Sequence, residues 1–246
     1  MEFSPWLFML PLGALALIAA SIKLVRTASV TAASAAIGLV LFVVCFVLNT
    51  ESVYLGVDAV LGGANMAYLL VQLSFLFAMF AMKVAFLPGA RLSGRSGWAH
   101  LDTWLAIAFA VAISALFVVS DTPESAYRVD PYRSLWTVSA FIQLVNIYSA
   151  ACGLLIVRQA RHLLAAPGQS WPRKAGVAAL MAGFAVGVFT AVQRLALHGL
   201  VLGEAHPTVS TIGSIDGALV VLSMSLIITG FGLAFAGHRR SQSEAM

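Results

Sequence analysis

Polar and apolar positions do not alternate along this chain; the apolar ones run on unbroken, as in VLFVVCFVLN and LLVQLSFLFAMFAM. Runs near 20 residues long, enough to cross roughly 30 Å of hydrocarbon at about 1.5 Å per residue, recur seven times. They fall at about 5–22, 28–48, 65–87, 103–119, 134–157, 175–197 and 213–236, separated by polar or Gly/Pro-bearing connectors. Backbone groups in lipid must find their hydrogen bonds inside the segment, so each run predicts a helix. A membrane β-barrel would instead show short strands of alternating character. The pattern predicts an all-α polytopic helix bundle with seven transmembrane helices over residues 1–237, and a short cytoplasmic tail, 238–246.

Composition agrees with that pattern. The 246 residues are 61% hydrophobic and only 10% charged, with a mean hydropathy of +0.95, far from the range of soluble domains. The first run follows an acidic Glu2, lacks a basic leader and has no small-residue cleavage site, so it reads as a span and not as a removable signal.

The formal charge of +4 would suggest nucleic acid in a soluble protein, but its distribution points to the bilayer. Eleven of the 14 Lys and Arg residues fall on one side of the predicted spans: Lys23, Arg26, Lys83, Arg91, Arg95, Arg158, Arg161, Arg173, Lys174, Arg239 and Arg240. Basic residues in short connectors stay in the cytoplasm, which predicts the N-terminus outside and the C-terminus inside the cytoplasmic membrane. Arg128, Arg133 and Arg194 remain on the outer side, with eight of the ten acids, while Asp102 and Glu244 are inside. The tryptophans follow the same borders: Trp6 and Trp136 at the outer interface, and Trp98, Trp104 and Trp171 at the inner one. Cys45 and Cys152 fall near opposite ends of their spans, too far apart to pair, and read as small apolar fillers. Gly176, Ala179, Gly183 and Gly187 form a close-approach stripe on the sixth span, expected to pack within the bundle, with a similar surface at Ser34 and Gly38.

Polar side chains inside apolar runs cost free energy unless partnered, so chemistry is sought there. Lys83, near the inner edge, is expected to lay its stem along lipid and reach the headgroups. Gln72 and Gln143 lie at similar depth on the third and fifth spans and are candidates to face one another, with Asn146 and Tyr148 deeper. On the outer side, YLGVDAVLGGAN brings Asp58 and Asn65 to the start of the third span, and TIGSIDGA brings Asp216 to the start of the seventh. Arg194 and His198, four apart in TAVQRLALHG, lie at the outer end of the sixth, where Arg194 is a candidate to pair with Asp216 or Asp58. Together Asp58, Asn65, Gln72, Gln143, Asn146, Arg194, His198 and Asp216 suggest a polar, outward-facing vestibule.

Enzyme signatures are missing. No Walker A, GxGxxG, HExxH or CxxC pattern occurs. The last span carries no lysine for a retinal Schiff base, and no histidines are paired mid-membrane for haem. No catalytic residues, metal or cofactor are expected.

The stretch ESVYLGVDAVLGGANMAYLLVQLSFLFAMF, with an acid (Asp58), Gly63 and Asn65 entering a span, resembles a family of actinobacterial integral membrane proteins labelled as transporters. The seven-helix, N-out arrangement also resembles the N-terminal sensor region of certain histidine kinases. Longer members continue into a cytoplasmic domain, whereas this sequence stops after HRRSQSEAM. The resemblance implies a membrane module without naming a substrate. The leading expectation is a non-enzymatic module that senses or binds a ligand through the outer vestibule, with a cytoplasmic signalling partner reading its loops. The basic connector VRQARHLLAAPGQSWPRK could dock that partner or hold anionic headgroups of the lipid bilayer. The alternative is a small-solute transporter or channel, which would need a polar path through the whole membrane.

Overall fold

The computed structural model describes residues 30–86, 96–120, 122, 124–127, 132, 135–201 and 208–243; side chains are described over 33–86, 101–120, 122, 124–127, 132, 135–196 and 215–234. The first expected span, 5–22, with Trp6, lies outside the described residues, and the side chains of Trp98 and His198 lie outside the described side chains. Among the described residues the chain is all-α: α1 (Val30–Leu48), α2 (Glu51–Val60), α3 (Met66–Phe86), α4 (Ser96–Val119), α5 (Trp136–Ala165), α6 (Trp171–Val201) and α7 (Thr208–Ser243). Five of these carry a window long and apolar enough to cross a membrane: Met66–Phe86, Leu101–Val119, Trp136–Ala165, Trp171–Ala196 and Ile215–Ala234. A sixth is added if the bent pair Ala33–Leu48 and Glu51–Val60 counts as one span. The protein is a multi-pass integral membrane protein. Trp104, Trp136 and Trp171 all project into the surroundings near the ends of their spans, in keeping with an interfacial placement.

Helix α2 is absent from the hydropathy pattern because it is short and only half apolar. α1 stops at Asn49, whose amide Nδ2 donates to the Cys45 carbonyl at 2.9 Å and so satisfies one of the helix's orphan acceptors. The chain then turns by 97° and restarts at Glu51, an acid in the first turn, where the helix dipole favours it. α2 closes with a Schellman motif: the Gly63 amide donates to the Asp58 carbonyl at 2.7 Å and the Gly62 amide to Ala59 at 3.3 Å. Four successive residues then hold positive φ, Gly62 (97°), Gly63 (79°), Ala64 (55°) and Asn65 (61°), before α3 begins. Two glycines supply this geometry freely; Ala64 holds it at a steric cost.

Contacts divide the chain into two units, Met1–Ser149 and Ala150–Met246, the division falling inside α5. In the first unit, α1 packs on α3. Gly38 leaves room for Met82, whose Cε would stand 2.9 Å from an added Cβ, so the small residue expected to permit close approach does so here. Phe42 meets Phe75 at 5.8 Å between centroids. Phe141 of α5 lies edge-on to both Tyr68 of α3 (5.7 Å) and Phe117 of α4 (6.0 Å), tying three helices through one ring.

In the second unit α6 and α7 form an antiparallel pair at backbone contact. A Cβ on Gly176 would lie 2.3 Å from the Ala234 amide nitrogen, and one on Gly183 2.8 Å from the Ser223 carbonyl. The Ser223 hydroxyl donates to the Gly183 carbonyl at 2.8 Å. The glycine stripe therefore packs within the chain, as small residues do where lipid removes the hydrophobic drive between helices. Cys45 and Cys152 are both buried and outside any disulfide.

Candidate functional site

Of the eight residues expected to line a vestibule, the first unit brings two into direct contact. Asp58 and Asn65 are both fully buried (0% exposed) at the end where α1 stops. Asp58 Oδ1 accepts from the Ala67 amide at 2.8 Å, and Oδ2 accepts from the Asn65 amide at 3.2 Å and from the Ser125 hydroxyl. A carboxylate from one helix thus caps the N-terminus of the next, where orphan amides and the dipole both favour a negative charge. Asn65 stands at the cap position of α3, but its side chain is turned elsewhere. Its Oδ1 accepts from the Ala126 amide (2.8 Å) and the Tyr54 hydroxyl (3.2 Å), while Nδ2 donates to the Glu124 carbonyl (2.8 Å).

These bonds strap residue 122 and residues 124–127 across the α2–α3 corner. The Thr122 hydroxyl donates to the Ala64 carbonyl at 3.5 Å, the Tyr127 hydroxyl donates to the Asn49 carbonyl, and the Tyr54 and Tyr127 rings meet edge to face at 5.6 Å. Sequence reasoning placed Asp58 and Asn65 together but missed Tyr54 and Ser125. The spacing of Tyr54 and Asp58, four apart on one helical face, was the available signal.

Deeper in the same unit, Asn146 Nδ2 lies 3.5 Å from Gln143 Oε1, a contact one turn apart on α5. Gln72 and Gln143 are half-buried, and no hydrogen bond joins them among the described residues.

Lys83 does not snorkel. Only 3% exposed, it turns inward from α3 and meets Asp102 Oδ1 of α4 at 3.2 Å. Its ammonium also lies 5.7 Å from the Phe80 centroid and 6.0 Å from that of Tyr148. Two aromatic faces and a carboxylate replace the water that snorkelling would have provided. The pairing was foreshadowed by Asp102, which is placed as an acid at the otherwise basic border and lies at the start of the span following that of Lys83.

The second unit realises the other predicted pair. Arg194 Nε lies 3.0 Å from both Asp216 oxygens and Nη2 2.6 Å from Oδ2, a two-pronged engagement. The pair is toward the connected end of the α6–α7 hairpin, where the C-terminal part of α6 meets the N-terminal part of α7, with the Arg194 side chain 45% exposed. Asp58 belongs to the first unit and takes its bonds there. Among the described residues no group of three His, Cys, Asp or Glu side chains is placed to hold a metal ion.

No protein-family model matches the chain, and neither a curated protein nor a solved structure matches it.

Proposed function

We propose that the chain is a non-enzymatic sensing or binding module of the cytoplasmic membrane, with the N-terminus outside and the C-terminus inside. In this reading the module recognises its ligand on the outward side and hands the change to a cytoplasmic partner at the basic connectors. The observation that carries it is the Arg194–Asp216 pair, a guanidinium–carboxylate fork left half-exposed at the end of a hairpin otherwise closed at backbone contact. Asp58 and Asn65 commit their polar atoms to the strap, so ligand recognition moves from the whole expected vestibule to Arg194 and Asp216. The one-sided distribution of Lys and Arg supports the orientation. The resemblance of residues 51–80 to seven-helix membrane families is part of the same proposal.

A second reading, transport of a small solute, draws on one observation: Lys83 carries a charge buried inside a membrane-spanning helix, a placement common on ion and substrate paths. The two readings separate in one pair of experiments. Purified protein in proteoliposomes is assayed for counterflow of amino acids, sugars and metal ions, and protein cross-linked in its native membrane is analysed for partners. Sensing predicts silent vesicles and a cytoplasmic partner whose cross-links fall on the 158–174 connector. Flux that is abolished by Gln72→Ala or Gln143→Ala, with no partner, overturns it in favour of transport.

A further inference from the structure

We propose that α2 is an interfacial helix, seated in the headgroup layer of the bilayer at the membrane surface where α1 ends, and that its occupant there is lipid. Three observations meet on this short element. The first is direction. α1 is 19 residues long, about 28 Å at 1.5 Å per residue, enough to bring the chain to the surface, and α2 leaves it at 97°. A helix that departs nearly at right angles from a spanning helix lies close to the membrane plane.

The second is its pattern. The spans are apolar over most of their surface, but α2 has a buried face, an apolar stripe and a mixed exposed flank. Tyr54 and Asp58 are buried and point into the protein. Beside them runs a wholly apolar stripe, Val53, Val57, Val60 and Leu61, spaced by four, three and one residues, the spacing of one helical face. The remaining flank is exposed and mixed: Glu51, Ser52 and Gly56 stand there with Ala59 and Leu55, the last 38% exposed. The protein holds one face, and the apolar stripe borders a flank that carries the charged and hydroxyl side chains of Glu51 and Ser52.

The third is exposure. Val60 is 87% exposed and Leu61 half-exposed at the tip of the stripe, and the adjoining Tyr54 and Asp58 face is already held by the protein. An apolar edge bordered by a polar one, on a helix lying in the plane of the membrane surface, matches the headgroup and acyl boundary.

This seating has a structural consequence. Asp58, on the inward face of α2, caps α3 through Ala67 and Asn65. The depth at which lipid holds α2 is therefore set relative to α3 by hydrogen bonds, not by a flexible linker.

The test is a labelling series on the full chain in phosphatidylcholine and phosphatidylglycerol vesicles, with a polarity-sensitive fluorophore on single cysteines introduced at Ser52, Gly56, Val57 and Val60. The native Cys45 and Cys152 are buried, and Cys45→Ala with Cys152→Ala provides the background. Expected are blue-shifted emission at Val57→Cys and Val60→Cys, quenching by lipids brominated close to the headgroup, and protection from aqueous iodide. Ser52→Cys should be iodide-accessible and unquenched by the lipids, and Gly56→Cys, one turn before Val60, should fall between the two. Equal iodide access at positions 52 and 60 overturns the proposal, as does strongest quenching of position 60 by lipids brominated at the chain end, which would mark a re-entrant segment. Protection of position 60 that is lost when the protein is purified away from a co-isolating protein would assign the stripe to a protein partner and also overturn it. Val60 touches little else in the fold, and elution as a single species in detergent checks that each variant is folded.

Discussion

Gly176 and Ala234 face each other across α6 and α7 so closely that a methyl group on Gly176 would stand 2.3 Å from the Ala234 amide nitrogen. The same relationship repeats along the hairpin, with Gly183 opposite Ile227, Gly187 opposite Ser223 and Arg194 opposite Asp216. From pair to pair α6 advances by seven, four and seven residues while α7 retreats by seven, four and seven. Those steps lie near whole turns of a helix with about 3.6 residues per turn, so one face of each helix stays in register throughout. A single antiparallel register thus carries both the glycine ladder and the ion pair that ends it.

This register ranks the glycines. Gly176→Ala and Gly230→Ala place a methyl against backbone atoms at 2.3 to 2.7 Å, which the helices can relieve only by parting. Each is expected to cost about 2–3 kcal/mol, the upper part of the range for overpacking. Gly187→Ala meets only the Ser223 hydroxyl at 3.2 Å and should cost less. Gly217 and Gly232 have open space around an added Cβ, and alanine there is expected to be neutral or to stabilise by up to about 1 kcal/mol through helix propensity. Thermal unfolding in detergent checks the order; equal losses at positions 176 and 232 would refute it.

Asp58 supports a second prediction. Its carboxylate accepts from two backbone amides and from Ser125, so Asp58→Asn turns an acceptor into an amide that confronts donors. A loss of about 2–4 kcal/mol is expected, since charged hydrogen bonds contribute more than neutral ones and the orphaned groups stay buried. The strap of residues 122 and 124–127 should loosen before the spans do. Limited proteolysis would then cut there in the variant and not in the parent, and a variant with the parent's melting temperature and cleavage pattern would remove Asp58 from this role.

Ala64 is the residue in the 62–65 turn that holds positive φ (55°) without an amide side chain to hydrogen-bond locally or a glycine's freedom. Ala64→Gly relieves a steric cost of about 1–2 kcal/mol and returns part of it through the more flexible unfolded chain. A net gain of about 0.5–1 kcal/mol is expected, read as a raised melting temperature. The Ala64 carbonyl that accepts from Thr122 is retained in the variant. Destabilisation would show that the Ala64 methyl makes a contact worth more than the strain.

The spans were legible in the sequence because lipid imposes a single rule, continuous apolar length, and α3, α4, α5, α6 and α7 each overlay an expected run. Arg194 and Asp216 were legible too, since each lies at the facing end of consecutive spans. α2 was not, because an interfacial helix of ten residues obeys neither the length rule of a span nor the polarity of a loop. Lys83 was misread for a related reason. Depth alone favours snorkelling, and only the packing of Asp102, Phe80 and Tyr148 around the ammonium makes the inward rotamer the better one. The strap was hidden because its partners, Ser125 and the Glu124 carbonyl, are about 60 residues from Asp58 and Asn65 and follow no local spacing.

Lys83 and Asp102 form a pair with one buried member and one half-exposed member. Asp102→Ala leaves a buried ammonium with aromatic faces only, and a loss of about 2–4 kcal/mol is expected, below the full range for breaking a buried pair because water still reaches the aspartate side. Lys83→Met alone should cost less, since the remaining carboxylate can be hydrated. The double variant Lys83→Met with Asp102→Leu should recover most of the loss, because it leaves no orphan charge. Unfolding of all three variants in detergent measures the coupling, and additive losses would show that the two side chains do not act as a pair.

Arg194 and Asp216 differ from that pair in being open to the surroundings, which fixes the expected size and salt response of their coupling. The fork geometry is good, with contacts of 2.6 to 3.0 Å, yet the Arg194 side chain is 45% exposed, so its contribution to stability should be near 1 kcal/mol, the upper end for exposed pairs. Arg194→Ala and Asp216→Ala should each lower stability by about that amount, and their losses should not add. Exchanging the charges, Arg194→Asp with Asp216→Arg, keeps the same register and should restore part of the coupling. Raising salt should shrink the coupling while leaving the glycine-ladder losses unchanged, because screening reaches an exposed ion pair and not a backbone clash. A coupling that is absent at low salt, with parent-like stability in both single variants, would show that the pair contributes nothing to the hairpin and leaves its end to the glycine contacts alone.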